Sequence, residues 1–310
     1  MGISEFELID QAFRQGGTPT HPLTHIANGD DASVHALQDG MELVVSTDIS
    51  MAGVHWPHDF PLDMAADRAI CAALSDLAAM GAEGCWAWVS VMTTSSDDGM
   101  AIGAGVNAAL KRHGIELAGG DTVHASCNAI AVTVAGQVPE GVAMRRDKAQ
   151  AGDDIWLCGN IGHAALGLAQ WQQGEHDGPF VNAFARVEPL LETGISLRKA
   201  GVRCCIDISD GLFQDASHLA DASHIALDIQ LQDCPGWDAL CRATDIETAE
   251  AMAAGGGEDY ALLFTAPADF RWKLEALAAH VGVCKAGAGV QLWCEGHKLD
   301  VTDKGYDHFA

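Results

Sequence analysis

Stretches with the alternating period of a strand and stretches with the period of a helix follow one another along this chain, and they do so through both halves. In the first half, MELVVSTD from Met41 reads as a strand. Ala66, Ala69, Ile70, Ala73, Leu74 and Leu77 then recur at helical spacing, which predicts a helix from a capping Asp63 through Met80. CWAWVSVM from Cys85 reads as a second strand. A helix near Asp98 to Arg112, a short strand at IELA and an alternating strand at AIAVTVAGQV complete the unit. VPEGVAMRRDKAQAGDD suits a boundary. The second half reopens with a strand at DIWLCG and a long helical region from about Ala164 to Lys199. RCCID follows as a strand, with a helix after Asp210. IALDIQL, YALLFTA and VGVCKAGAGVQLWC supply further strands, with a helix over Phe270 to Val281 between them. The expected fold class is α+β with α/β alternation, in two domains at residues 1–140 and 141–310. No internal repeat, heptad or low-complexity tract interrupts it.

Charge narrows the partners. The 310 residues carry 43 acidic side chains against 17 Lys and Arg, a formal net charge of −26. Nucleic-acid binding by phosphate neutralisation needs a basic face, and this balance argues against it. With 48% hydrophobic residues the chain buries a large core, unlike a disordered acidic tail. MGISEFELIDQAFRQGG has acids where a secretion signal carries bases, and Asp76 and Glu83 interrupt even the apolar run from Ala72 to Met92. A cytoplasmic protein with no membrane span is expected. The ten cysteines include no C-x-x-C pair, and adjacent Cys204 and Cys205 lie in a strand-like run, so reduced core thiols are expected.

The positions of the acids carry the chemistry. Several sit at strand ends or turns beside small residues: GDDAS (Asp30, Asp31), STD (Ser46, Thr47, Asp48), LSDLAAMG (Asp76), GGDT (Asp121), IDISDG (Asp207, Asp210) and GGGED (Glu258, Asp259). Carboxylates and hydroxyls without adjacent Cys or paired His are hard oxygen ligands, which suit Mg²⁺ better than zinc. Glycines allow backbone to approach a phosphate, and N–H groups at a helix start such as Ser209-Asp210-Gly211 attract anions. Taken singly, a GDD or GGD is most often a turn with a capping Asp. The chain has no G-x-x-x-x-G-K-[ST] loop and no kinase H-R-D or D-F-G signature, which excludes the two commonest phosphoryl-transfer layouts.

The ordered series GDDAS, STDISMAGVHW, LSDLAAMGA, LAGGDT, RRDKAQAGDDIWLCGNIGHAALGL, IDISDGL, GGGEDYALLFT and KGYDHF resembles the thiamine-monophosphate kinase family, from about Asp30 to Phe309. IDISDGL or GGDT alone would indicate only the wider superfamily shared with aminoimidazole-ribonucleotide synthetase and selenophosphate synthetase. The resemblance implies that fold, in two domains, with the active site between them and a homodimer pairing through the N-terminal sheets. It implies transfer of the γ-phosphoryl group of ATP to thiamine monophosphate, giving thiamine diphosphate, the last step of that cofactor's synthesis. By motif match, Asp31, Ser46, Thr47, Asp48, Asp76, Asp121, Asp207 and Asp210 bind several Mg²⁺ ions, with Asp30 close by. Gly120, Asp121, Arg146 and Ser209 map to ATP contacts. His55, Glu258 and Tyr306 map to the thiamine-monophosphate site. Asp121, Asp207 and Asp210 are placed closest to the chemistry.

Elementary chemistry agrees with the metal part. Two polyanions must meet in line, and side-chain cations are scarce in these motifs. The acceptor is a phosphate oxygen whose second pKa is about 6, so no strong general base is needed and none is assigned. Outside the resemblance, His55 with its neighbour His58, and the pair His21 and His25, would be ordinary histidines, and Arg146 would belong to a solvated charge cluster with Arg145, Asp147 and Lys148. Trp86 and Trp88 at alternate positions suit one strand face, as core or dimer interface. The chain departs from the family pattern at CGNIGHAALGL, with His163 at a usual Asp, at ARVEPLLE around Pro189, and at Asn28 in ANGDD. Two other readings remain open: another ATP-dependent enzyme of the superfamily that phosphorylates an amide or carbonyl oxygen, and a nucleotide or thiamine-phosphate binder without turnover.

Overall fold

The computed structural model describes residues 4–13 and 19–301. Two compact units result: residues 1–77 with 82–141, and residues 78–81 with 142–310. In the first unit a short helix α1 (Glu5–Leu8) runs into a π turn, Ile9–Phe13. A two-stranded ribbon, β1 (Thr24–Ile26) and β2 (Val34–His35), precedes β3 (Met41–Met51), helix α2 (Leu62–Ala79) and β4 (Glu83–Thr93). Helix α3 (Ser96–His113), β5 (Glu116–His124) and β6 (Ala129–Pro139) follow. The four long strands form one sheet in the order β3-β6-β4-β5, antiparallel except for β4 with β5.

The local reasons are legible. Ser95 caps α3 by accepting from Asp98 N at 3.1 Å, acids fill its first turn, bases its last, and Gly114 closes it in the left-handed region. Ile102, Val106 and Leu110 are buried on that helix, as are Val89 and Val91 on β4 beneath it. On the other face of β4, Trp86 is buried with Cys85, Ala118 and Ala135. Its indole donates to Thr24 Oγ1 at 2.9 Å, and Trp88 donates to Ser33 Oγ at 3.1 Å. The two tryptophans therefore share a face, as the alternation predicts, and hold the ribbon segment on the sheet.

The second unit opens with β7 (Asp154–Cys158), then α4 (His163–Gln172), α5 (Pro179–Ala185) and α6 (Leu191–Ala200). Next come β8 (Cys204–Ile208), α7 (Leu212–Ser223), β9 (Ala226–Gln230), α8 (Trp237–Ala243) and α9 (Ile246–Gly255). Then β10 (Ala261–Ala266), α10 (Arg271–Leu274), β11 (Ala279–Lys285), β12 (Gly289–Cys294) and β13 (His297–Lys298) complete the chain order. Its seven-stranded sheet runs β13-β12-β9-β11-β7-β10-β8. β8 is buried at every position, and Cys204, Ile206, Leu263 and Leu227 belong to one extended apolar cluster. All ten cysteines are free thiols.

Several boundaries differ from expectation. The long helical region from Ala164 to Lys199 is three helices, broken around Gly174, Pro179 and Pro189. The helix expected over Phe270 to Val281 is only the four residues of α10, because Ala279 to Val281 join the strand expected from Val281, which splits into β11, between β7 and β9, and β12. Pairing in the sheet overrides the helical preference of that segment. The short IELA strand continues to His124 through its glycines, and α2 begins one residue before Asp63, which lies in its first turn rather than capping it. The sequence reading missed α8, α9 and the β1–β2 ribbon.

Asp154, at the start of β7, is buried and accepts from Arg271 Nε at 2.6 Å and Nη2 at 2.8 Å, with His280 Nε2 at 3.2 Å. The Arg271 hydrogen bond, ahead of opposing burial, holds its carboxyl below the usual range. Because the folded value lies below the unfolded one, this stabilisation is present above about pH 4 and is lost as pH falls through the folded value. Asp154→Asn is expected to lower the urea midpoint at pH 7, with the gap to wild type closing toward pH 3. A gap independent of pH would contradict the pairing.

Candidate functional site

Each unit carries part of the acidic set. In the first, β3 presents alternate residues to opposite faces: Ser46 and Asp48 turn toward the helices and are half-buried, and Thr47 is exposed. Ser46 Oγ donates to Asp76 Oδ2 at 2.6 Å, joining β3 to α2. Thr47 Oγ1 instead meets Thr133 Oγ1 at 3.1 Å, with Val132 O at 3.3 Å. The register sets Asp48, Val132, Val89 and Gly120 in one row across the four strands, with Asp121 beside Ser90 in the next. Three strand spacings of roughly 4.8 Å put the backbones at the two ends of that row about 14 Å apart.

Three of the acids here accept from the backbone N–H of the residue that follows them. Asp30 Oδ1 accepts from Asp31 N at 2.8 Å, Asp48 Oδ1 from Ile49 N at 2.7 Å, and Asp121 Oδ1 from Thr122 N at 2.8 Å. Within neither unit do three of these acids bring ligand atoms within 4.8 Å of one another among the described residues. Gly120 has φ +153°, and a Cβ there would lie 1.9 Å from Val89 O, so only glycine lets β5 approach β4 this closely. His55 closes the turn after β3, its Nδ1 accepting from Met51 N at 3.0 Å.

In the second unit the site is a corner where β8 ends and α7 begins. Asp207 is 4% exposed at the end of β8. Ser209, Asp210 and Gly211 then turn their N–H groups onto one oxygen, Asp215 Oδ2, at 2.9, 3.0 and 3.2 Å. Burial raises the Asp215 carboxyl to about 7, opposed by those N–H donors and reinforced by the charges of Asp207 and Asp210. Sequence reading gave Asp215 no role. Its signal was a carboxylate one helical turn past a glycine, able to reach back to the helix start.

The GGGED loop lies against this corner. Glu258 N donates to Ser209 O at 2.7 Å and Tyr260 N to Ile208 O at 2.8 Å. A Cβ on Gly257 would sit 2.5 Å from Ser209 O. Glu258 and Tyr260 both have positive φ, 73° and 51°, a strained arrangement that surrounding packing must hold, and Tyr260 Oη donates to Glu258 Oε2 at 2.8 Å. Asp259, grouped by sequence with the hard oxygen ligands, instead accepts from Gly162 N at 2.5 Å and Ala164 N at 2.9 Å and so caps α4. His163, at the family's usual Asp, packs edge-on to Phe180, with Nε2 3.0 Å from Gly236 O.

Arg146 separates from its charged neighbours. Arg145 makes two hydrogen bonds to Asp147, at 2.9 and 2.6 Å, and Lys148 lies 4.0 Å from the same carboxylate. Among the described residues Arg146 makes no ion pair, and its carbonyl accepts from Ser223 Oγ at 2.6 Å. Tyr306 lies outside the described residues.

Residues 29–138 match the family described as AIR synthase related protein, N-terminal domain, and residues 150–291 match AIR synthase related protein, C-terminal domain. Thiamine-monophosphate kinase of Escherichia coli strain K12 is 32% identical, covering 100% of this chain and 99% of its own. The crystal structure of thiamine-monophosphate kinase from Stenotrophomonas maltophilia K279a superposes with a TM-score of 0.84 at 34% identity, over 96% of this chain and 99% of that one. The structure of AaThiL complexed with AMPPCP and TMP superposes with a TM-score of 0.78 at 25% identity, over 88% of this chain and 89% of that one. With both domains matched and relatives aligned end to end, the chain has the two-domain AIR synthase-like fold and belongs to the thiamine-monophosphate kinase family.

Proposed function

We propose that this protein transfers the γ-phosphoryl group of ATP to thiamine monophosphate, giving ADP and thiamine diphosphate. The observation that carries the reading is the full-length likeness to thiamine-monophosphate kinases, one of the similar structures holding AMPPCP and TMP. In this reading residues 1–140 supply metal and ATP ligands and residues 141–310 complete the ATP and substrate site.

The donor set fits magnesium: Asp31, Ser46, Thr47, Asp48, Asp76, Asp121, Asp207 and Asp210 are all oxygen donors, without sulfur or imidazole. The Asp215 carboxyl, raised first by burial, is pushed further by the charges of Asp207 and Asp210, a repulsion that a cation would relieve. The span from Asp48 to Asp121 supports several ions rather than one. Thr47, with its hydroxyl on the opposite face from Ser46 and Asp48, would contribute its carbonyl oxygen. Bound Mg²⁺ neutralises the phosphates and stabilises charge on the transferred group.

The chain's own residues then position the anions. Gly120 gives the close backbone approach that a phosphate needs, and Arg146 offers a guanidinium fork that pairs with no acid among the described residues. The Ser209 hydroxyl stands at the β8–α7 corner as a further donor. His55, Glu258 and Tyr306 contact thiamine monophosphate in this reading. Direct in-line attack by the acceptor phosphate needs no catalytic base. On the outer face of β3, an edge strand, Leu43, Val45 and Ile49 are more than half exposed, which supports a homodimer pairing through the N-terminal sheets. No helix among the described residues is long and apolar enough to cross a membrane, in keeping with work in the cytoplasm.

Purified protein given ATP, Mg²⁺ and thiamine monophosphate is expected to form thiamine diphosphate and ADP in equal amounts, with chelation of Mg²⁺ abolishing both. ADP formation only with a different acceptor would instead identify another activity of the superfamily, and binding without turnover a non-catalytic role.

A further inference from the structure

A second cluster of ligating side chains lies in the C-terminal unit, and it differs in chemistry from the all-oxygen set. Cys294 and His297 end β12 and begin β13, paired directly opposite one another across a two-residue turn. Glu295 and Gly296 fill that turn with φ 44° and 84°, the left-handed pair that a tight hairpin requires. Residues directly opposite on a hairpin share a face, so the C-E-G-H sequence aims its thiol and imidazole the same way. Helix α9 brings Glu250 to them: His297 Nε2 and Glu250 Oε1 are 3.1 Å apart. Ligand atoms of Glu250, Cys294 and His297 all fall within 4.8 Å of one another.

We propose that Glu250, Cys294 and His297 bind a thiophilic divalent cation of the zinc class, separate from the magnesium chemistry. Sulfur, imidazole and carboxylate together select zinc over magnesium, and three protein ligands leave a fourth tetrahedral position for water. Bonds of about 2.0–2.3 Å set tetrahedral ligand atoms roughly 3.3–3.8 Å apart. His297 Nε2 and Glu250 Oε1, 3.1 Å apart, already stand at about that spacing, and the His297 side chain is 58% exposed. A cleft of about 250 Å³, lined in part by Glu250, His297, Lys298 and Asp300, gives an ion a route from solvent to Glu250 and His297, with Cys294 buried beside them. Binding replaces the thiol proton of Cys294, which passes to solvent, with a metal–sulfur bond. Burial, then the hydrogen bond and charge of Glu250, push that thiol up to about 12, so without a cation it stays protonated. The ion would tie the β12–β13 hairpin to α9, the helix that leads into the Gly256 to Tyr260 loop.

The test uses the purified full-length chain in excess Mg²⁺. Equilibrium dialysis is expected to retain one equivalent of zinc per chain. Cobalt in its place is expected to show a thiolate-to-metal charge-transfer band and the visible intensity of a tetrahedral ion. His297→Gln alters an exposed side chain, so it is expected to fold normally and to keep Mg²⁺-dependent turnover. It should weaken zinc binding by at least about tenfold to a hundredfold, the loss found even for residues that only support a ligand. Cys294→Ser is expected to remove the charge-transfer band. Zinc affinity equal in wild type and His297→Gln, or a wild-type cobalt spectrum with no thiolate band, would overturn the proposal and leave Glu250 and His297 as a surface ion pair.

Discussion

Asp121→Asn and Asp207→Asn are each expected to lower kcat for thiamine diphosphate formation by several orders of magnitude while leaving the fold intact. An amide keeps the shape and one acceptor oxygen of the carboxylate but not its charge, so it cannot hold magnesium between two anionic phosphates. Stability responds differently. Asp207 is 4% exposed, and its charge contributes to the raised pKa of Asp215. Neutralising it removes a repulsion from the metal-free protein, so the thermal midpoint without Mg²⁺ is expected to stay level or rise. Turnover within a few-fold of wild type in both variants would refute the metal assignment. Lost activity together with a collapsed midpoint would mean these acids serve the fold instead.

The second large effect belongs to Gly120. With φ +153° and a virtual Cβ 1.9 Å from Val89 O, Gly120→Ala must both strain its own backbone and push β4 from β5. Strain and overpacking together put the cost at about 2–4 kcal/mol. Gly141 is the matched control, because its φ is +73° and a Cβ there meets nothing within 4 Å. Gly141→Ala should therefore cost only about 1 kcal/mol, from backbone strain alone. Urea melts of the two variants decide the matter, and equal losses would show that close strand approach at Gly120 is not what requires glycine. Because Asp121 follows directly, turnover of any folded Gly120→Ala protein is expected to fall as well.

The alternation of periods was enough to read most strands, because β-branched runs such as AIAVTVAGQV and buried runs such as RCCID state their burial outright. It failed where tertiary pairing decides. Ala279 to Val281 were read as the end of a helix, but they begin the strand expected from Val281, which β7 and β9 flank. Helix α8 is seven residues long and buries little beyond Trp237 and Leu240, too few positions to show a period. Among the acids, those in motifs were legible through their glycine and hydroxyl neighbours. Asp215 was not, because its part depends on three N–H groups of another turn that only the folded corner brings together. Asp259 was visible as an acid in GGGED, but its partners Gly162 and Ala164 lie nearly a hundred positions away in the chain. Without the family resemblance, Arg146 was legible only as one of a charged cluster. The pairing of Arg145 with Asp147 is what singles it out.

Direct phosphoryl transfer from ATP to thiamine monophosphate is decided by a single-turnover experiment with ATP labelled in its γ-phosphoryl group. With Mg²⁺ and acceptor present, the label should pass into thiamine diphosphate in one phase, with none bound to protein at any time. Label trapped on the protein when the acceptor is withheld, or label appearing only as inorganic phosphate when it is supplied, would contradict the account.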